Sequence, residues 1–195
     1  MSKTIYLASN SPRRWALLQQ LGINLIRVEG EVDETPYQNE EASAYCLRIA
    51  LAKNQAAQAE HSRRSLANYP IVTADTTVSI HNQILGKPKD QDEAFQMLKL
   101  LSGKTHQVFT AVCVSYNQQQ FSRLQTSDVI FKKITEEEIR AYIATGEPMD
   151  KAGAYGIQGL GGIFVQHLAG SFTGVMGLPI AETAELLKRC NLSLL

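Results

Sequence analysis

The chain lacks a charge excess, a cysteine framework and any membrane-length apolar run, and each absence removes a class of protein. Its 195 residues carry 19 Lys+Arg against 19 Asp+Glu, a formal charge of zero. That balance argues against stable nucleic-acid binding, which normally draws on a basic domain. Three cysteines (Cys46, Cys113, Cys190), odd in number and widely spaced, form no zinc-ligand pair and suit a reducing compartment. No uninterrupted apolar run approaches the roughly 18–20 residues that span a bilayer, so no membrane association is expected. The start, Met1-Ser2-Lys3-Thr4-Ile5-Tyr6, turns polar again at Ser9 and Asn10, too early for a signal peptide. Repeats, charge blocks and linker-like stretches are missing as well, and the longest polar segment, Glu60 to Asn68, has only a loop's length. These absences together predict a soluble, cytoplasmic, globular protein.

What is present fits one packed unit. Apolar residues make up 44%, with 13 glycines and 6 prolines, which excludes disordered, collagen-like and low-complexity chains. A chain of this length buries about 70% of its unfolded surface. Residues 1–195 are therefore read as a single domain, with room for lobes.

Short β-like runs alternate with amphipathic helical runs, the pattern of an α/β protein. Thr4 to Ala8 reads as a buried strand. Ser11-Pro12 reads as an N-cap with proline at the first helical position, and the helix carries Trp15, Leu18 and Leu21 before stopping at Gly22. Ala42 to Ala59 is a second helix. Ile71 toward Ile80 is a strand turning through His81-Asn82-Gln83 into Ile84-Leu85. Asp90 with Glu93, and Thr135 with Glu138, resemble capping boxes that start two further helices, closed by Gly103 and Gly146. Gln107 to Tyr116 is apolar on both faces, as a central strand is. Gln118-Gln119-Gln120 turns it into a partner strand ending near Phe131, so the sheet is mixed. Gly162 to Leu168 reads as a strand, and Pro179 starts the last helix. His61 and His81 are placed in loops, His106 and His167 on the sheet surface.

Five segments could carry chemistry. Ser9-Asn10-Ser11-Pro12-Arg13-Arg14 lies between a strand and a helix start, where unpaired N–H groups favour an anion. Its hydroxyls and guanidiniums add donors shaped for phosphate oxygens. The competing reading is an ordinary Ser-Pro cap with two solvated arginines. Glu31-Val32-Asp33-Glu34 is either a solvated acidic loop or a source of hard oxygen ligands for Mg²⁺ or Mn²⁺. Asp75, near a strand end and followed by Thr76, sits where α/β sheets bind ligands, and could ligate a metal or take a proton from water. As an alternative it caps a hairpin.

Lys53 falls at the edge of the stripe Cys46, Ile49, Ala50, Ala57, which points its head inward unless it snorkels to solvent. Lys87, in Gly86-Lys87-Pro88, is either a cleft cation or a free surface lysine. Finally, five of the 13 glycines fall in the thirteen residues from Asp150 to Gly162. That backbone bends sharply or approaches something closely, unless it is simply a connecting loop. It is neither a Walker A nor a GxGxxG motif, since position 164 is Phe. Gln158 within it could read a base edge through its paired donor and acceptor.

Taken in order, Ser9 to Arg14, Val32-Asp33-Glu34, Ala74-Asp75-Thr76, Gly86-Lys87-Pro88, Asp150 to Gly159 and Gly177-Leu178-Pro179 resemble the Maf family of nucleoside triphosphate pyrophosphatases over essentially the whole chain. The resemblance implies a mixed-sheet α/β fold of the inosine triphosphatase-like kind, with two lobes around a deep cleft. It implies Mg²⁺- or Mn²⁺-dependent hydrolysis of a nucleoside triphosphate substrate to the monophosphate and pyrophosphate. By the same resemblance Ser9, Arg13 and Arg14 bind phosphate, with Lys53 and Lys87 closing on the triphosphate. The metal-binding acid falls on Glu34 and the catalytic acceptor on Asp75, and Arg13, Thr76 and Gln158 sort the base. Read from the residues themselves, Asp75 either shares the metal with Glu34 or takes the proton, two competing roles. Arg-Arg after the proline, Asp-Thr and Gly-Ile-Gln-Gly resemble the branch acting on dTTP and UTP. A homodimer is compatible with this picture. A non-catalytic nucleotide sensor regulating division is the rival reading; it would need the cations but not Glu34 and Asp75.

Overall fold

A computed structural model describes residues 3–195. Met1 and Ser2, the first residues of the stretch read above for a signal peptide, lie outside the described residues. The chain runs β1 (Thr4–Leu7), α1 (Pro12–Gln20), β2 (Asn24–Arg27), α2 (Ala42–Arg63), β3 (Ile71–Ile80), β4 (Gln83–Leu85), α3 (Gln91–Leu101), β5 (Thr105–Tyr116), β6 (Gln119–Phe131), α4 (Glu136–Ala144), β7 (Val165–Ala169), α5 (Phe172–Met176) and α6 (Ile180–Arg189). Three short 3-10 turns, Glu147–Asp150, Ala152–Ala154 and Leu160–Phe164, fill the stretch between α4 and β7.

The seven strands form one sheet in the order β2-β1-β3-β5-β6-β7, with β4 attached to β3. It is mixed, as expected: β1 runs parallel to β2 and β3, whereas β3, β5, β6 and β7 are antiparallel neighbours. The pairing along β3 creates the site. One of its edges is covered by β5 from Ile71 to Ser79. On the other edge β1 reaches only Ile71 and Val72, and β4 only Val78 to Ile80. Between them, among the described residues, no strand pairs with residues 73–77. The backbone around Asp75 therefore borders a notch in the sheet.

Strand alternation then sorts the side chains of β3. Val72 and Ala74 join Ile5, Leu7, Leu18, Val112 and Leu186 in one buried cluster. Val78 and Ile80, on the same face, join Leu98, Leu101, Val108, Phe131 and Phe164 in another. Between the two cores, Thr76 stands in register with Thr110 on β5, and Thr110 Oγ1 donates to Thr76 Oγ1 at 3.1 Å. A ten-residue strand is roughly 33 Å long, enough to serve both cores. The lobes are thus two cores strung on the same long strands, parted by threonines. The odd face of β3 packs on α2, where Thr73 Oγ1 donates to the Ala50 carbonyl at 2.9 Å.

Most local expectations hold, notably the Thr135–Glu138 capping box, which is complete. Others need correction. The strand expected over 162–168 begins as the 3-10 turn Leu160–Phe164, because this glycine-rich backbone is wrapped around a carboxylate described below, and the strand is Val165–Ala169. The hairpin turn falls at Asn117-Gln118, both with positive φ (49° and 63°), so Gln119 and Gln120 already belong to β6. The helix expected to end at Ala59 continues to Arg63, where Glu60 and Arg63 pair one turn apart at 2.7 Å, and carries His61 with it. Ser11 occupies the N-cap position of α1 but its side chain makes no capping bond. His106 is not on the sheet surface: it is 1% exposed, its Nε2 lies 2.8 Å from the Tyr155 hydroxyl, and burial pushes its imidazole down to about 4. Strand β2 and helix α5 were not anticipated.

Candidate active site

The chain leaves β1 at its carboxyl end, passes Ser9 to Ser11 and enters α1 at Pro12, and residues 9–14 all line the cleft beside the notch. Trp15 Nε1 donates to the Ser9 carbonyl at 2.9 Å and holds this entrance in place. Consecutive helical residues point about 100° apart, and Arg13 and Arg14 accordingly diverge. Arg14 turns inward: its Nε donates to the Gly177 carbonyl at 2.7 Å, and its two terminal nitrogens to Ser9 Oγ and Thr76 Oγ1, each at 3.2 Å. All three acceptors are neutral, so burial lowers the guanidinium's pKa, with nearby Asp75 opposing. Arg13 stays at the rim, where it meets Asp150 at 2.9 Å.

The acids converge on a single ammonium. Lys53, on α2, does point inward: its Nζ lies 2.8 Å from Asp75 Oδ1 and 2.6 Å from Glu34 Oε1. Asp75 is 6% exposed, and its second oxygen accepts from Thr77 Oγ1 at 3.2 Å. Glu34 comes from the long loop before α2. Tyr45 Oη donates to the Glu34 carbonyl at 2.8 Å, and Arg48, locked on Glu40 at 2.6 Å, donates to the Thr35 carbonyl. Asp33, beside it, is committed elsewhere: it accepts from the Thr35 amide and hydroxyl. No group of three or more His, Cys, Asp or Glu side chains that could hold a metal is found among the described residues. Two carboxylates aimed at one cationic point nevertheless suit Mg²⁺, which is commonly held by one or two carboxylates, with phosphate oxygens and waters completing the shell.

Lys87 follows β4, lines the same cleft and has no ion-pair partner among the described residues. The neighbouring Gly86 carbonyl accepts from the Gly153 amide at 3.0 Å, tying the lysine's loop to the glycine-rich segment. Gln158 sits on the turn closed by Gly159 N–H to the Gly156 carbonyl at 3.2 Å. Ser9, Arg13, Arg14, Glu34, Lys53, Asp75, Thr76, Lys87 and Gln158 all line one cleft of about 1070 Å³. The structure therefore gathers these nine residues while leaving Asp33 outside the cleft lining, and Arg14 enters as a buried brace of the wall.

Sequence reasoning missed the groups that hold these residues in place. Asp150 as the rim partner of Arg13, Tyr45 and Arg48 behind Glu34, and Glu147 behind the glycine-rich segment had no local signal beyond composition. The glycines themselves were informative. A Cβ at Gly161 would lie 2.6 Å from Tyr142 Oη and 2.9 Å from the Gly156 backbone, and one at Gly159 would lie 2.5 Å from the Glu147 carboxylate. Close approach, not positive φ, is what these two positions require. Gly161→Ala is expected to destabilise the protein by about 2 kcal/mol through overpacking against backbone that cannot yield, as measured by denaturant unfolding.

The fold and cleft define a class: a two-lobed, mixed-sheet α/β protein in which a helix N-terminus and rim cations face a pair of acids sharing one ammonium. Comparison with known proteins narrows it. The family model described as Maf-like protein matches residues 4–190. A nucleoside triphosphate pyrophosphatase of Haemophilus ducreyi is 66% identical over 195 residues, covering 100% of this chain and 99% of that protein. A dTTP/UTP pyrophosphatase of Pasteurella multocida is 53% identical over 193 residues, 97% of this chain and 96% of that one. A dTTP/UTP pyrophosphatase of Neisseria meningitidis serogroup A is 48% identical over 187 residues, with 95% and 93% covered. The chain belongs to the Maf family.

Proposed function

We propose that the protein is a nucleoside triphosphate pyrophosphatase that hydrolyses dTTP and UTP, modified pyrimidine triphosphates included, as cytoplasmic housekeeping of the nucleotide pool. The observation that carries this reading is the Glu34–Lys53–Asp75 cluster, set in a cleft whose rim supplies Arg13, Lys87 and the start of α1. Relatives named for this reaction, matched along nearly their whole length, support it.

In the proposed reaction the triphosphate lies between the Ser9–Arg13 rim and Lys87. Lys53 offsets charge on the phosphates in a site largely shielded from water, where such compensation counts most. Asp75 orients a water and accepts its proton as the water oxygen bonds to phosphorus at the α–β linkage. The P–O anhydride bond breaks and its electron pair leaves with pyrophosphate. Glu34 and Asp75 would hold Mg²⁺ or Mn²⁺, which when bound supplies positive charge to the phosphate oxygens. Thr76 and Gln158, on the cleft wall, face the nucleoside.

The test is pyrophosphate release by the purified protein from each common triphosphate with Mg²⁺ or Mn²⁺. Release of one pyrophosphate per monophosphate, fastest from dTTP and UTP, is expected. Tight nucleotide binding without release from any triphosphate would instead favour the sensor.

A further inference from the structure

Glu147 lies outside the cleft lining, yet its carboxylate organises the segment that carries Gln158. Its Oε1 accepts from Tyr142 Oη at 2.8 Å and from the Gly161 amide at 3.1 Å, and its Oε2 accepts from the Leu160 amide at 2.9 Å. Tyr142 Oη in turn accepts from the Gly156 amide at 3.1 Å. Gln158 is therefore flanked, two residues away on each side, by an amide pinned to this pair. Lys151 adds a further strut by donating to the Glu147 carbonyl at 2.6 Å. The glycines at 156, 159 and 161 leave room for the carboxylate and hydroxyl.

We propose that Glu147, with Tyr142, is a positioning residue for base selection, holding the 156–161 turn so that the Gln158 amide meets the nucleobase in a single orientation. The inference rests on the proposed pyrimidine triphosphate reading. Thymine and uracil present an imide N–H between two carbonyls; cytosine presents a ring acceptor beside an amino donor. A primary amide held one way fits the first pattern and opposes the second, whereas an amide free to rotate fits both. Glutamate is needed because both carboxylate oxygens accept. A glutamine here keeps one acceptor and turns an NH₂ group toward another donor.

The experiment measures kcat and KM for dTTP and CTP in Glu147→Gln, Tyr142→Phe, Gln158→Ala and the Glu147→Gln/Gln158→Ala double variant. Glu147→Gln is expected to lower the dTTP:CTP ratio of kcat/KM about tenfold, which corresponds to roughly 1.4 kcal/mol, mainly through a higher KM for dTTP. Tyr142→Phe should move the ratio the same way by less, and the double variant should be no less selective than Gln158→Ala, since both act through one amide. An unchanged ratio in folded Glu147→Gln, or an equal loss on both nucleotides, overturns the clamp while a selectivity loss in Gln158→Ala leaves the base reading standing. An unchanged ratio in Gln158→Ala overturns the base reading and the clamp together. Should Glu147→Gln fail to fold, Tyr142→Phe decides by the same ratio.

Discussion

Asp75→Asn is expected to lower kcat by roughly 10³-fold while leaving the fold and nucleotide KM close to those of the parent protein. The substitution is clean because the surroundings accept an amide. Lys53 Nζ at 2.8 Å requires an acceptor, which the asparagine oxygen supplies, and Thr77 Oγ1 at 3.2 Å can reverse its role and accept from the new NH₂. Lys53 also keeps Glu34 at 2.6 Å, so the ammonium is not orphaned. What disappears is the capacity to take a proton, together with one unit of negative charge. Pyrophosphate release gives kcat, and nucleotide titration of the variant checks that binding survives. Turnover near that of the parent would remove Asp75 from the reaction.

Where the sequence was legible, local chemistry decided the structure. The Thr135–Glu138 box, β3 and β5 follow from side chains answering their own backbone or from an apolar run that only a buried strand accommodates. Lys53 was legible for the same reason, since its place beside the Cys46–Ala57 stripe aims it across the sheet. The elements that escaped, β2 and α5, are four and five residues long, too short for a period to show. Strand β2 is an edge strand, held by pairing with β1 and by little burial of its own. His106 was misplaced because one polar residue in an otherwise inward-facing row reads as surface until a buried partner, here Tyr155, is known.

The site divides along the same line. Which residues would share a cleft was visible from residue types, but what each one touches depends on contacts far apart in the chain. Arg13 and Arg14 are neighbours in sequence, and only the helix rotation makes one a rim cation and the other a brace between Ser9, Thr76 and Gly177. The glycine-rich run announced a close approach without saying to what. The answer, a carboxylate at Glu147 and a hydroxyl at Tyr142, comes from a neighbouring helix and turn.

Lys53→Met should produce the second large effect, and it separates the ammonium's two duties. Methionine keeps the apolar stem that packs along α2 but removes the one cation that, among the described residues, is ion-paired with both acids. Asp75, with 8% of its side chain exposed, then faces Glu34 without its ion-pair partner, and the buried Arg14 nearby offsets this in part. Breaking a buried pair in this way costs about 3 kcal/mol, equivalent to a fall in Tm of roughly 6–12 °C for a chain of this size. Charge compensation on the phosphates is lost at the same time, so kcat/KM should fall by roughly 10²-fold. A divalent ion should restore part of the stability: with the ammonium gone, Glu34 and Asp75 have no internal competitor, and a ligand that binds only the folded state raises Tm. Adding Mg²⁺ or Mn²⁺ without nucleotide should therefore raise the Tm of Lys53→Met more than that of the parent. A parent-like Tm, or a depressed Tm indifferent to both ions, would show that the two acids do not form one cation-binding pair.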